Sequence, residues 1–140
     1  MRVRVLPVGR LSGHAFVVIV AFGEGDRIVL CRHRDRLTWE TPGGHIEPGE
    51  SAIGAARREL FEEAGIVASR LTPVADYDVD GASGRLFAAE IGTRFTLPTF
   101  EIVENIEVDT LPANLTYPEI TPILVSTVSE WRSRRTTRNH

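Results

Sequence analysis

Gly44-His45-Ile46-Glu47-Pro48-Gly49-Glu50, seven intervening residues, and then Arg58-Glu59-Leu60-Phe61-Glu62-Glu63-Ala64-Gly65-Ile66 form the stretch on which the reading of this chain turns. Thr41-Pro42-Gly43-Gly44 and Pro48-Gly49 are punctuation, because proline and paired glycines disfavour the interiors of helices and strands. A helix is expected to start near Glu50 or Ser51. From there Ile53, Ala56, Leu60 and Ala64 recur at three- and four-residue spacing as one buried stripe, and Gly65 stands where a left-handed C-terminal cap belongs.

On such a helix Glu59, Glu62 and Glu63 share a face. Like charges so placed cost roughly 0.2–0.5 kcal/mol per pair, and they sit in the last turns, where the helix dipole repels anions. A cation should compensate. Mg²⁺ suits carboxylate oxygens, whereas His and Cys are absent from this helix face, which argues against zinc. Taken alone, the triplet also reads as a solvated acidic face with Arg58 pairing to one of its members.

The surrounding residues decide between these readings. The stretch is similar to the Nudix box, G-x5-E-x7-R-E-U-x-E-E-x-G-U with U aliphatic, at every specified position from Gly44 to Ile66. The resemblance extends over about Val3 to Trp131 and implies an α/β fold, the family's α/β/α sandwich with a mixed β-sheet. It implies a Mg²⁺-dependent enzyme, with Mn²⁺ as a substitute, that cleaves a diphosphate linkage in a nucleotide-like substrate. On this resemblance Glu59, Glu62 and Glu63 are metal ligands, the Gly43 carbonyl is a main-chain ligand, and Glu59 or a neighbour acts as or orients the general base. Arg58 would hold the glutamates and Glu50 would pair with Arg58. Among Glu101, Glu104 and Glu107, Glu104 is the first choice for an added acidic ligand.

Upstream, Arg2 to Val8, His14 to Phe22 and Arg27 to Arg32 read as strands, the last two as a hairpin around Gly23-Glu24-Gly25-Asp26. Cys31, the only cysteine, reads as core, and no intramolecular disulfide is possible. His33, Arg34 and Arg36 form a basic cluster suited to outer phosphates, against the alternative of a solvated loop. Trp39 offers a face for stacking a base, against the alternative of packing as core. Downstream, Val74 to Val79, Leu86 to Ile91 and Ile102 to Val108 read as strands, and about Tyr117 to Arg132 as a second helix, with Pro122 tolerated only in its first turn.

At 140 residues the chain fits one domain, expected over residues 1–132 with a basic, frayed tail from 133 to 140. Sixteen basic against nineteen acidic residues give a net charge of −3, so any attraction for phosphate must be local. Nucleic acid is therefore disfavoured as a partner, an RNA 5′ end excepted. The longest apolar run, Ala15 to Phe22, is far short of the roughly 20 residues of a membrane helix, and a cytoplasmic protein is expected. Family members are often homodimers, but no residue pattern here marks an interface.

Weaker features, Trp39-Glu40-x-Pro42-Gly43-Gly44-His45 and Leu115-Thr116-Tyr117-Pro118, resemble bacterial (deoxy)nucleoside triphosphate pyrophosphohydrolases of the family. Gly81, Ala82 and Ser83 stand where ADP-ribose and diadenosine polyphosphate hydrolases carry a marker proline or tyrosine. The leading expectation is hydrolysis of a nucleoside triphosphate, oxidised bases included, to monophosphate and pyrophosphate. Other Nudix substrates and a non-catalytic nucleotide sensor remain as alternatives.

Overall fold

Val17, Ile19 and Ala21 alternate with Val18, Val20 and Phe22 along one strand, so each face of that strand must be covered by apolar side chains. The computed structural model, which describes residues 1–138, covers both. Strands β1 (Val3–Leu6), β2 (Phe16–Phe22), β3 (Ile28–His33), β4 (Gly43–His45), β5 (Ile66–Val79), β6 (Ala82–Arg94) and β7 (Ile102–Val108) accompany helices α1 (Ala52–Ala64) and α2 (Thr121–Arg138). The sheet order is β1-β5-β6-β2-β3-β7, with β4 pairing to β2. Among these strands β2 and β6 pair in parallel and the other pairings are antiparallel, so the sheet is mixed.

Two cores follow from the alternation. Val17, Ile19, Ala21, Val29, Phe87 and Ala89 pack with Ala55, Ala56, Leu60 and Ala64 of α1 on one face. Val20, Phe22, Leu30, Leu86 and Ala88 pack with Leu124, Val125 and Val128 of α2 on the other. The result is the expected three-layer α/β/α arrangement.

Several boundaries differ from those read in the sequence. β5 and β6 reach fourteen and thirteen residues, because three register shifts, around Val67, Ala68–Arg70 and Pro73–Ala75, reset the alternation that marks a strand. Gly43–His45, read as punctuation, is a short strand against β2. A Cβ on Gly43 would lie 2.5 Å from the Val17 carbonyl oxygen, so glycine is what permits this pairing. α2 begins at Thr121, later than expected, which puts Pro122 in the first turn. It also runs on to Arg138, past the expected end at Arg132. Arg132 is anchored there by Glu90 at 2.8 Å and Asp26 at 2.9 Å, and Arg135 lies over the Trp131 ring. The last two residues of the expected tail lie outside the described residues. No helix among the described residues is long and apolar enough to cross a membrane.

Candidate active site

Helix α1 is fixed at both ends by local chemistry. The Ser51 hydroxyl accepts from the Gly54 N–H at 3.1 Å as N-cap, and Gly65, at φ +66°, closes the C-terminus in the left-handed conformation. Leu60 and Ala64 are thereby turned into the core while Glu59 and Glu63 lie against Gly44 and Gly43 of β4 and Glu62 stands further out. Glu62 is 43% exposed, whereas Glu59 and Glu63 are mostly covered.

Arg58 gathers this acidic face. Its guanidinium donates to both oxygens of Glu50, at 2.8 and 2.9 Å, to Glu59 Oε1 at 2.8 Å, to Glu62 Oε2 at 3.4 Å and to the His45 carbonyl at 3.0 Å. The hydrogen bonds from Arg58, helped by the Glu47 N–H, bring the Glu50 carboxyl down to about 2. Glu59 is pushed up by burial, with Arg58 opposing. Gly44 makes room for it, since a Cβ there would stand 2.7 Å from Glu59 Oε1.

Glu63 is the most perturbed of the three. Its Oε1 accepts from the Gly43 N–H at 2.8 Å, and its Oε2 lies 2.9 Å from His33 Nε2. Burial raises its carboxyl to about 8, against the Gly43 hydrogen bond and with the help of the negative charges of Glu59, Glu40 and Glu62. A buried carboxylate so crowded by like charge is held at a deficit that a divalent cation would remove. The oxygen-rich set of Glu59, Glu62 and Glu63 beside the Gly43 backbone therefore fits Mg²⁺ chemistry.

The remaining residues marked by the sequence are distributed as follows. His33 turns inward to Glu63, while Arg34 and Arg36 are exposed. Arg36 reaches Glu40 Oε1 at 3.0 Å and the Tyr117 hydroxyl. Trp39 packs with the α2-side core, with Arg32 over its ring at 5.9 Å, so core packing rather than base stacking is its place. Glu104 pairs with Arg32 at 3.4 Å. It flanks Asn105, whose side chain reaches the carbonyl of Glu63 at 3.0 Å, so strand alternation turns Glu104 to the other face of the sheet, away from the helix carboxylates. Glu107 is engaged with the Glu24 N–H and Arg94. β7 thus brings Asn105, not Glu104, to the end of α1.

Three neighbours of the site carry no local signal in the sequence. Glu40, 7% exposed, is paired with Cys31 through backbone hydrogen bonds in both directions and accepts from Arg36 and Thr116. Cys31 itself lies beneath Glu63 and His33. A cleft of about 330 Å³ opens from Gly43 and Gly44 between Phe16, His45, Tyr77, Tyr117 and Thr121. The Phe16 and His45 rings, 4.7 Å apart and tilted by 59°, line part of it. Aromatic and aliphatic side chains dominate its lining, with Glu40 among them, a surface suited to a planar apolar group.

The sequence profile of the NUDIX domain matches residues 12–119. The chain is 40% identical over 63 residues to a Bacillus subtilis (strain 168) protein whose name provisionally makes it an 8-oxo-dGTP diphosphatase, covering 45% of this chain and 41% of that one. It is 41% identical over 56 residues to an RNA pyrophosphohydrolase of Bartonella henselae, covering 38% and 32%. These matches span under half the length of either relative. The fold is similar to the crystal structure of the Bacillus subtilis pyrophosphohydrolase BsRppH (E68A mutant), with a TM-score of 0.74 at 23% identity, covering 91% of this chain and 90% of that one.

Proposed function

The chain belongs to the NUDIX domain family, and from that premise we propose that it is a Mg²⁺-dependent pyrophosphohydrolase cleaving a nucleoside triphosphate, oxidised bases included, to nucleoside monophosphate and pyrophosphate. The observation that carries this reading is the clustering of Glu59, Glu62 and Glu63 on α1 against β4, Arg58 holding Glu59 and Glu62 and the Gly43 N–H holding Glu63, where Gly43 and Gly44 also line an aromatic cleft of about 330 Å³. Glu59, Glu62 and Glu63, with the Gly43 backbone, would hold the cation. When bound, it would supply charge neutralisation to the diphosphate and a more acidic water.

The protein's own groups would do the rest. Glu59 Oε1 is held by Arg58, which leaves Oε2 to take the proton of the attacking water as general base. The water oxygen bonds to one phosphorus in line, and the bond from that phosphorus to the bridging oxygen breaks. Arg36, exposed and in contact with Glu40 and Tyr117, would meet outer phosphates. Phe16, His45 and Tyr117 offer apolar and ring surface to the base.

Hydrolysis of a panel of nucleoside triphosphates, oxidised nucleotides, ADP-ribose, dinucleoside polyphosphates and 5′-triphosphate or capped RNA, with Mg²⁺ or EDTA, tests the reading. Metal-dependent release of pyrophosphate from a triphosphate is expected. Nucleotide binding without turnover across the panel would replace it with a sensor role. A second reading, the same bond cleavage at an RNA 5′ end, draws on the similarity to the Bartonella henselae relative, and would appear as turnover of the RNA substrates alone.

A further inference from the structure

Cys31 and His33 lie two residues apart on β3, so both side chains point to the α1 face of the sheet. They arrive at the C-terminal turn of α1 directly against Glu63. The thiol sulfur, a ring nitrogen of His33 and a carboxylate oxygen of Glu63 all lie within 4.8 Å of one another, and His33 Nε2 is already 2.9 Å from Glu63 Oε2. The acidic helix face carries neither His nor Cys, which disfavours zinc there; the strand beneath the helix supplies both.

The three donors sit on a rigid frame. Cys31 is tied to Glu40 by backbone hydrogen bonds of 2.8 and 3.0 Å. The Gly43 N–H holds Glu63 Oε1 at 2.8 Å and so aims Oε2 at His33. Cys31 is fully buried and His33 is 29% exposed, giving a pocket closed below and open through the imidazole. Bonds of about 2.0–2.3 Å in a tetrahedral site set donor atoms roughly 3.3–3.7 Å apart, so closing this triad requires side-chain shifts of about an ångström.

We propose that Cys31, His33 and Glu63 form a binding site for a soft divalent cation of the zinc class, distinct in its donors from the oxygen-only set of α1 but sharing Glu63 with it. Thiolate, imidazole and one carboxylate are a donor set zinc accepts and Mg²⁺ does not. Glu40 Oε1, 3.5 Å from His33 Nε2, adds negative charge alongside. On binding, the thiol proton leaves to solvent, a sulfur–cation bond forms, and the His33–Glu63 contact opens to admit the ion. Nothing is oxidised or reduced. The regulatory consequence rests on the hydrolase reading: an ion held here withdraws Glu63 from the Mg²⁺ set, so zinc inhibits turnover.

The test uses the full chain stripped with EDTA and titrated with Co²⁺ as a spectroscopic stand-in for zinc. Because Cys31 is the only cysteine, a near-ultraviolet thiolate-to-cobalt charge-transfer band reports this residue alone. The band is expected to saturate at one Co²⁺ per chain, to vanish with Zn²⁺ and to survive excess Mg²⁺. Cys31→Ser should lose it, and His33→Gln should weaken Zn²⁺ binding at least about tenfold, with circular dichroism confirming that each variant is folded. No band in the wild-type chain at saturating Co²⁺, saturation at half an equivalent, or wild-type affinity in folded His33→Gln would each overturn the site. The band together with no hydrolysis of any substrate would leave the site standing and remove the hydrolase reading. Mg²⁺-dependent turnover without a band would do the reverse.

Discussion

Replacing Glu63 by glutamine removes a charge the fold pays to bury, and the consequence is a stability difference that depends on pH in a definite direction. Glu63 titrates at about 8 in the native chain against an ordinary 4.5, with burial the leading cause. Between those values the native state holds a proton that the unfolded state has released, so wild-type stability falls as pH rises from 4.5 to 8. Each pH unit is worth about 1.36 kcal/mol at most, and the whole interval therefore amounts to about 5 kcal/mol as a ceiling. The substituted amide can still accept from the Gly43 N–H but has no proton to lose. In EDTA, Glu63→Gln should be close to wild type in urea stability near pH 4.5 and more stable by several kcal/mol near pH 9. Added Mg²⁺ should stabilise the wild-type chain at the higher pH and the variant far less, because the cation binds the ionised form. A wild-type-to-variant difference that stays flat from pH 4.5 to 9 would refute the argument that burial, rather than the His33 contact, governs this carboxyl.

Three further substitutions separate the chemistry from the fold. Glu62→Gln, at a half-exposed position, should lower Mg²⁺-dependent turnover at least about a hundredfold, since phosphate charge stabilisation is worth several kcal/mol, while leaving urea stability within about 0.5 kcal/mol; retention of near-wild-type rates would remove it from the site. Gly44→Ala places a methyl 2.7 Å from Glu59 Oε1. The flexible carboxylate can move aside, so the expected result is a loss of turnover of at least about tenfold with a stability change under about 1 kcal/mol, measured side by side by kinetics and urea unfolding. Leu60→Ala, at 1% exposure in the α1-side core, should instead cost about 2–5 kcal/mol, read as a lowered urea midpoint with the kcat of the folded fraction preserved.

The parts of the fold legible from the chain are those whose signal is local. α1 announces itself twice, by the Ile53–Ala56–Leu60–Ala64 stripe and by Gly65, and the structure agrees to within two residues. β7 matches its apolar run at both ends. β5 does not, because Val67, Ser69 and Arg70 lie among register shifts that break period-two alternation, so its first half resembles a loop in sequence although it pairs along β6. Gly43–His45 misleads for a related reason. Glycine is avoided in strands when a side chain is needed for packing, but here the neighbouring strand comes so close that a side chain is excluded.

The candidate site divides along the same line. Glu59, Glu62 and Glu63 are neighbours because a helix makes them so, and the grouping of Glu59 and Glu62 around Arg58 follows from residues within one local stretch. What lies across from them follows from tertiary pairing. Glu104 is suggested by the clustering of acidic residues near β7, yet its pairing with Arg32 turns it to the other face and delivers Asn105 to Glu63 in its place. The choice between faces depends on the β3–β7 register, which sets Glu104 opposite Arg32 and Asn105 opposite Cys31, and a slip of one residue inverts every side chain of a strand. The same parity brings Cys31 and His33 under α1 and gives Glu63 a sulfur and a nitrogen neighbour. A helix motif read alone specifies an oxygen site for a hard cation. With β3 beneath it, the same glutamate stands between the carboxylates of α1 and the sulfur and nitrogen of Cys31 and His33.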